Sequence, residues 1–295
     1  MIKVQTGVRA ESVRQGAEHV LFVEGEDDNS IDRIVLRTLF QDKIEVKSLG
    51  SSFHIRSVAE ALYKHHPNYY FLIDRDHYDD QFVEKSWKRF PDPNSYNLLI
   101  WRRRELENYF LIPEYLIKSQ YDPVSLEKLR QTIKSKAQER LYLDAANQVI
   151  VSIREKVKEN WIELFSDVHQ FSSKEKTLEI LHKKKEFKSF RTKISRNLQE
   201  NELTRKFDTT LDQLTRGNTS LEFGKGTWLE QMSGKEIFHT VANQCFKVKD
   251  RQGNLLQGRE KWNEIVKDLL KKPLQDQPDD FRELYNLIDT RIHTS

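Results

Sequence analysis

Four short strand-like runs in the first third of the chain, three of them mostly apolar, constrain its fold more than any other feature. Short continuous apolar runs are typical of strands that are buried on both faces of a parallel sheet. Apolar residues at helical spacing lie between the runs and indicate crossover helices. The alternation is βαβαβ, which predicts an α/β domain with a mostly parallel sheet and right-handed crossovers. The runs are Val20–Val23, Ile44–Leu49, Tyr69–Ile73 and Asn97–Trp101.

The character of the sequence changes after Pro113, where segments with helical periodicity dominate. They predict helices at about residues 125–165, 174–198, 233–248 and 258–270, and a last helix that starts near Pro278. We therefore expect two domains, an α/β domain over residues 1–112 and a mainly α-helical domain over residues 113–295.

The composition excludes several classes of protein. The chain has 49 Lys and Arg against 46 Asp and Glu, so its net charge of +3 gives no argument for a nucleic-acid partner. Cys245 is the single cysteine, which excludes a disulfide framework or a zinc module within this chain, and we expect it to be a small buried residue. The first residues lack the apolar core of a signal peptide, and no apolar stretch is long enough to cross a bilayer. We expect a cytoplasmic protein without a membrane partner.

Acidic residues directly follow the first and third apolar runs. The first group is Glu24-Gly25-x-x-Asp28, in which Gly25 permits a tight turn, and the second is Asp74-x-Asp76. The carboxyl ends of parallel strands meet at one edge of a sheet, where α/β proteins bind their ligands. Alternate residues of an extended segment face the same way, so Asp74 and Asp76 are expected to point at one site. We therefore expect both groups to converge.

Carboxylates that converge in this way repel each other unless a cation lies between them. Mg²⁺ prefers carboxylate oxygen and keeps several waters, and Mn²⁺ accepts the same ligands. Such an ion suits phosphodiester hydrolysis. Either motif alone favours a polar loop or a helix N-terminus. It is the joint occurrence, at two strand ends about 50 residues apart, that indicates a metal site.

The pair of motifs resembles the Toprim domain, which topoisomerases, bacterial primases, recombination mediators and overcoming-lysogenization-defect nucleases share. The resemblance covers about residues 20–112 and implies a Rossmann-like Toprim fold. The family's invariant glutamate matches Glu24, and its D-x-D matches Asp74 and Asp76. Glu26 is equally acidic and stays a second candidate for the catalytic glutamate. The implied metal ligands are Glu24, Asp28, Asp74 and Asp76.

A closer resemblance adds the segment Arg104–Phe110 and the helical region after it. This arrangement is similar to Toprim effector subunits that bacteria encode beside an ABC-type ATPase in anti-phage systems. It implies a metal-dependent endonuclease whose substrate is RNA, in particular tRNA. It also implies that the ATPase partner stores the effector and that the released chain forms a homodimer. No G-x-x-x-x-G-K-[ST] motif occurs in this sequence, so an ATP-driven step needs another subunit.

Several other residues have both a functional and a structural interpretation. Glu105 and Glu107 lie on a segment that is predicted to be extended, and Glu107 is a further candidate metal ligand. The adjacent Arg102, Arg103 and Arg104 either contact phosphate or pair with these glutamates. The basic run over residues 182–191 contains Phe187 and Phe190 and indicates either a nucleic-acid surface or a solvated helix face. We expect no catalytic role for the candidate histidines, which are His65, His66, His77 and His239.

Other functions remain alternatives at this stage. A topoisomerase needs a larger strand-passing body, and a Toprim primase needs a zinc module or further domains. Receiver domains use a single central aspartate and a late lysine, and haloacid-dehalogenase phosphatases carry D-x-D on their first strand. A DNA nuclease and a catalytically silent nucleic-acid-binding module both agree with the motifs. Metal dependence on RNA and DNA substrates separates these last two from an RNA nuclease.

Overall fold

A four-stranded parallel sheet forms the centre of the N-terminal part of the chain. The structure, a computed structural model, describes residues 19–25, 30–76, 78–92, 94, 96–159, 177–179 and 185–294, without the side chains of 155, 157–159 and 185–187. The strand order is β2-β1-β3-β4, and every pairing is parallel. The strands are β1 (Val20–Val23), β2 (Glu45–Ser48), β3 (Tyr69–Ile73) and β4 (Leu98–Ile100). The predicted α/β class with a parallel sheet is confirmed.

The central strands are apolar throughout because helices cover both faces of a parallel sheet. All four residues of β1 are buried, as are the last four of β3. In the register of the sheet, Val20 lies opposite Glu45 on one side and Tyr69 on the other. The chain leaves β1 towards β2 and returns on the other side as β3. The carboxyl ends of β1 and β3 are therefore adjacent, at the point where ligands bind in such sheets.

Three crossover helices connect the strands, namely α1 (Ile31–Phe40), α2 (Ser52–Leu62) and α3 (Asp80–Arg89). The hydroxyl of Ser30 accepts a hydrogen bond from the N–H of Arg33 and caps α1. The sequence analysis did not predict α3. Only Val83 and Trp87 are buried on this helix, so its apolar stripe is too narrow to give a clear helical period.

The segment that contains Glu105 and Glu107 was predicted to be extended, and this prediction is wrong. Residues Leu106–Leu111 form a 3-10 helix instead. Its cause is a capping box. The side chain of Glu105 accepts a hydrogen bond from the backbone N–H of Asn108, and the side chain of Asn108 accepts one from the backbone N–H of Glu105. The side-chain amide of Asn108 is fully buried and also donates to the carbonyl oxygens of Leu229 and Met232. This turn therefore binds a segment more than a hundred residues further along the chain.

The rest of the described chain is helical. Within the described residues a helix is present at each predicted place, and residues 160–165, 174–176 and 180–184 of the predicted helices lie outside the described part. Glu200–Thr215 is an additional helix that was not predicted, although its apolar residues Leu203, Phe207, Leu211 and Leu214 recur at helical spacing. Within the described residues no helix is both long enough and apolar enough to cross a bilayer. The elements after β4 and the 3-10 turn are α4 (Pro113–Leu116), α5 (Leu126–Glu159), α6 (Lys185–Asn197), α7 (Glu200–Thr215), α8 (Trp228–Gln231), α9 (Gly234–Cys245), α10 (Gly258–Leu270), a 3-10 turn (Leu274–Asp276) and α11 (Asp279–Thr294).

The chain divides into two compact units that differ from the predicted domains. The first unit contains residues 1–138 and 229–295, and the second contains residues 139–228. The boundary that the sequence predicts after residue 112 does not coincide with this division. In the first unit, α10 and α11 pack against α1, and α9 packs against the 3-10 turn of residues 106–111. Helices that follow residue 229 thus complete the unit that contains the sheet.

Candidate active site

A cavity of about 560 Å³ opens in the first unit, beside the carboxyl ends of β1 and β3. Acidic side chains that line it come from α1, from the end of β3 and from the start of the 3-10 turn. Residues of α9 and α10 line it as well. The acidic members are Asp32, Asp74, Asp76, Glu105 and Glu107, and the members from α9 and α10 are Lys235, Arg259, Trp262 and Asn263.

The ends of β1 and β3 are joined by a hydrogen bond that involves both predicted motifs. The backbone N–H of Asp74 donates to Oε1 of Glu24 over 2.9 Å. Glu24 also accepts from the backbone N–H of Ser52 at the start of α2. Gly25 has a φ of +131°, and a Cβ there would lie 2.5 Å from the Cβ of Ser30, so glycine is required. The first and second motifs therefore converge as the parallel sheet predicts.

The D-x-D motif reaches the cavity through a turn rather than through an extended strand. Asp76 has a φ of +47°, in the left-handed region that aspartate tolerates better than most residues. Both Asp74 and Asp76 nevertheless line the cavity. Arg75 between them is buried and points elsewhere, since it donates to the carbonyl oxygens of Tyr78 and Arg102 and to the carboxylate of Asp80. The expectation of an extended D-x-D segment is thus wrong, although Asp74 and Asp76 both face one cavity, as predicted.

Asp32 is an acidic residue of the cavity that the sequence analysis missed. It is the second residue of α1, a position where acidic residues commonly stabilise the helix N-terminus. This usual role gave no reason to predict that Asp32 belongs to the site, because nothing in the local sequence shows that the start of α1 faces the end of β3. Glu26 and Asp28, which were predicted as a catalytic and a metal-binding residue, lie outside the described residues.

The acidic groups of the cavity are difficult to ionise together. Burial raises the pKa of Asp32 to about 8, and the charges of Glu107 and Glu24 contribute to this rise. Burial raises the pKa of Glu107 to about 7, with a further contribution from Glu105. Burial and the charges of the neighbouring carboxylates hold the pKa of Asp74 well above its usual range. Burial also raises the pKa of Glu24. Perturbations of this kind are concentrated at functional sites.

One carboxylate in the cavity has an oxygen without the hydrogen-bond partner that burial normally requires, and a second is buried among other acids. Oδ1 of Asp74 is buried and accepts no hydrogen bond. Glu107 is only 7% exposed, and it faces other acids of the same cavity. Buried carboxylates without a partner are costly, and a cation is one ligand that removes this cost. In the described part of the chain, however, no three His, Cys, Asp or Glu side chains already form a group able to hold a metal ion.

Glu105 differs from Glu107 because groups at the start of α9 donate hydrogen bonds to its carboxylate. The backbone N–H of Lys235 donates to Oε2 of Glu105 over 2.8 Å, and the hydroxyl of Ser233 lies 3.4 Å from both carboxylate oxygens. The side chain of Lys235 is exposed and lines the cavity, and its charge lowers the pKa of Asp32 and Glu107. Lys235 is therefore a second residue of the site that the sequence analysis missed.

The arginines that precede Glu105 have structural partners. Arg102 pairs with Glu84, Asp280 and Glu283, and its guanidinium lies 3.9 Å from the centre of the Trp87 ring. Arg103 donates to the carbonyl oxygen of Asn108. Neither residue lines the acidic cavity. Of the two interpretations of this run, the geometry favours the structural one.

The remaining candidates lie away from the acidic residues or outside the described chain. His65 is exposed in the turn after α2, and His66 stacks on Tyr69. His239 stacks on Trp262, and burial lowers its pKa. His77 and the first residues of the basic run, together with the side chain of Phe187, are outside the described part. Cys245 is a buried thiol, as predicted.

Comparisons with known proteins give no relative from which a function can be transferred. No protein-family model matches this chain. No curated protein matches it either. The interpretation of the cavity therefore depends on its own residues.

The raised pKa values predict how the stability of the metal-free protein depends on pH. The native state keeps protons on Asp32 and Glu107 that the unfolded chain releases above their ordinary pKa values of 3.8 and 4.5. Because the unfolded state binds fewer protons, stability is expected to fall as the pH rises from about 5 to about 8. Urea unfolding in EDTA should show a loss on the order of a few kcal/mol. Asp32→Asn should flatten this dependence, and an equally steep profile in that variant would contradict its assignment.

Proposed function

We propose that this chain is a Toprim-type, metal-dependent nuclease that hydrolyses phosphodiester bonds of nucleic acid. The observation that carries the proposal is the unpaired, buried Oδ1 of Asp74 among other carboxylates of raised pKa. Structural ion pairs do not account for this group, because its neighbours are acids. A divalent cation that also engages a phosphate does account for it.

The position of the acids in the sheet supports the Toprim assignment. Glu24 follows β1, and Asp74 and Asp76 follow the adjacent parallel strand β3. This arrangement agrees with the resemblance of E-G-x-x-D and D-x-D to the Toprim motifs. A receiver domain or a haloacid-dehalogenase phosphatase uses its acids in a different order along the strands. The Toprim nuclease is therefore our first choice among the α/β alternatives.

The oxygen donors of the cavity fit Mg²⁺ or Mn²⁺ in their chemistry. Asp74, Asp76, Glu107 and Asp32 would hold the ion, since their carboxylates line one cavity. Burial and the charges of neighbouring carboxylates raise the pKa of Asp32, Asp74 and Glu107, and a bound cation would offset both effects. When bound, such an ion supplies Lewis acidity and neutralises phosphate charge. Glu26 and Asp28 stay candidate ligands from the resemblance alone.

The protein's own side chains have distinct roles in the proposed reaction. Glu24, whose pKa is raised by burial, accepts the proton of the attacking water as a general base. Lys235 contacts the phosphate and stabilises the negative charge that develops on its oxygens. The presence of several carboxylates and a lysine in one cavity suits a phosphodiester, which needs both a cation site and a phosphate site.

Incubation of the purified chain with nucleic acid tests this function directly. Total tRNA and a linear duplex DNA should each be incubated with Mg²⁺, with Mn²⁺ and with EDTA. We expect tRNA to be cleaved with either metal and to stay intact in EDTA. Cleavage of DNA alone would indicate the alternative of a DNA nuclease. Metal-dependent binding without cleavage of either substrate would indicate a silent binding module and contradict the nuclease.

We also propose a partner, an ABC-type ATPase, from the resemblance to AriB, the Toprim effector of the PARIS anti-phage system. In this proposal an AriA-like ATPase contacts residues from about Pro113 onward and stores the nuclease as an inactive effector. The released chain then acts as a homodimer in the cytoplasm. An unregulated nuclease that cleaves host tRNA would be toxic, which gives storage a physical purpose.

Exposed apolar residues of α5 allow the partner proposal to be tested on the full chain. Leu143 and Ile150 are 53% and 47% exposed and lie seven residues apart on one helix face. We expect the wild-type chain to co-elute with the ATPase and a Leu143→Asp, Ile150→Asp variant to be lost from the complex. Gln131→Asp, at an exposed position of the same helix about 120° around its axis from Leu143, is the matched control. Absence of a complex with the wild type would contradict the partner itself.

A further inference from the structure

One face of α10 lines the same cavity as the acidic residues and has no part in the proposed metal chemistry. Arg259, Trp262 and Asn263 are spaced i, i+3 and i+4, so they share this face. All three line the cavity. They bring a cation, an aromatic ring and an amide to one wall within two turns of helix.

Trp262 is the central residue of this wall. Its indole Nε1 is buried and donates no hydrogen bond. Buried indole N–H groups normally find an acceptor, so this unpaired donor indicates a ligand that supplies one. The ring itself is held by His239 of α9, with ring centroids 3.3 Å apart and planes inclined by 14°. Packing therefore orients the indole, while its N–H has no partner among the described residues.

The three side chains match the parts of a nucleotide. An aromatic ring stacks on a base of any type. A side-chain amide has both a donor and an acceptor for the edge of a base. A guanidinium binds phosphate oxygens. The side chain of Asn263 is half-buried at the cavity, within reach of a ligand there.

Resting on the nuclease function proposed above, we propose that this face of α10 binds one unpaired nucleotide beside the scissile phosphate. Trp262 stacks on the base, Asn263 contacts the edge of the base, and Arg259 contacts the adjoining phosphate. A base within a duplex presents neither face, because both are stacked on neighbours. A cavity of about 560 Å³ is also the size of a small-ligand site rather than of a duplex groove. The wall thus selects single-stranded or looped-out substrate.

Binding measured without cleavage tests the wall separately from catalysis. Fluorescence anisotropy should be recorded with the full chain in EDTA and in Ca²⁺. The probe is 5′-fluorescein-labelled octauridylate, compared with an abasic octanucleotide of the same backbone and with a 12-base-pair RNA duplex. We expect Trp262→Ala to weaken octauridylate binding about tenfold, the scale of one base–aromatic stack. Trp262→Phe keeps a stacking ring but loses the indole N–H, so its affinity should lie between those of the wild type and Trp262→Ala.

The matched control is Tyr142→Ala, which removes an aromatic side chain that is 61% exposed on α5. It should leave the affinity for octauridylate unchanged. The abasic probe should bind weakly and should not respond to Trp262→Ala. Asn263→Ala provides a second variant if Trp262→Ala does not fold, and it should weaken octauridylate binding at least threefold, consistent with the loss of a base-edge hydrogen bond.

Several results would overturn the inference. One is that the wild type does not bind octauridylate at all, and another is that it binds all three probes equally well. A third is that neither Trp262→Ala nor Asn263→Ala weakens the binding of octauridylate. They count against the wall whether or not the wild type cleaves tRNA in Mg²⁺. Binding that depends on Trp262, in a chain that never cleaves nucleic acid, would instead leave the wall in place and refute the nuclease.

Discussion

Asp74→Asn is expected to abolish cleavage of nucleic acid, with a loss of at least ~10³-fold in kcat/KM. The substitution keeps the size of the side chain and removes the charge that holds a cation. Glu24→Gln is expected to cause a loss of similar size, because it removes the proposed general base and keeps the acceptor of the Asp74 backbone N–H. Single-turnover cleavage of tRNA at saturating Mg²⁺ measures both effects. Activity that survives in either variant, in a protein of normal thermal stability, would exclude the assigned role.

The same variants should be at least as stable as the wild type when metal is absent. Neutralising Asp74 removes repulsion with Asp32, Glu24 and Glu107, the groups that hold its pKa well above the usual range. A protein that loses activity but gains thermal stability in EDTA is the expected signature of a metal site. Asp42→Asn is the matched control, since Asp42 is exposed, has a φ of +59° that asparagine tolerates, and forms only a surface ion pair with Arg37.

Lys235→Met is expected to lower kcat by about 10²-fold, the usual cost of removing one group that stabilises transition-state charge. The side chain is exposed at the cavity, so the fold does not depend on it. Lys235→Arg keeps the charge and should recover part of the rate. Lys88→Met, on the exposed side of α3, is the matched control and should be fully active. A fall confined to KM would show that Lys235 only attracts substrate, and an unchanged rate would remove it from the mechanism.

The sheet was predictable from the sequence because three of its four strands are short and apolar, and because acidic residues directly follow β1 and β3. The bounds predicted for β1 and β3 agree with the structure, and those of β2 and β4 differ by one residue at each end. The same logic predicted that Glu24 and Asp74 converge, since parallel strands bring their carboxyl ends to one edge. Helices with a broad apolar face, such as α10, were predicted as well. The narrow apolar stripe of α3 gave no comparable signal, whereas the apolar spacing of α7 was sufficient to predict a helix and was overlooked.

The other half of the cavity could not be predicted because long-range packing forms it. Lys235 and Trp262 lie more than 150 residues from Asp74 in the sequence, and their local patterns are those of ordinary amphipathic helices. What positions α9 is Asn108, a buried amide that holds the carbonyl oxygens of Leu229 and Met232. A single asparagine in a polar stretch gives no sign of such a role. The extended segment predicted around Glu105 failed for a local reason, since the capping box between Glu105 and Asn108 favours a helical turn over a strand.

The first unit is discontinuous in sequence, and this affects the order in which its parts are made. A ribosome that has translated as far as residue 228 has produced the whole acidic side of the cavity and none of α9 or α10. Lys235 and the wall around Trp262 emerge later still. Nascent and prematurely terminated chains of this length therefore carry the carboxylates without the groups that we assign to phosphate and base. Vectorial synthesis by itself thus keeps incomplete copies from presenting a finished cavity to the RNA of the translating ribosome.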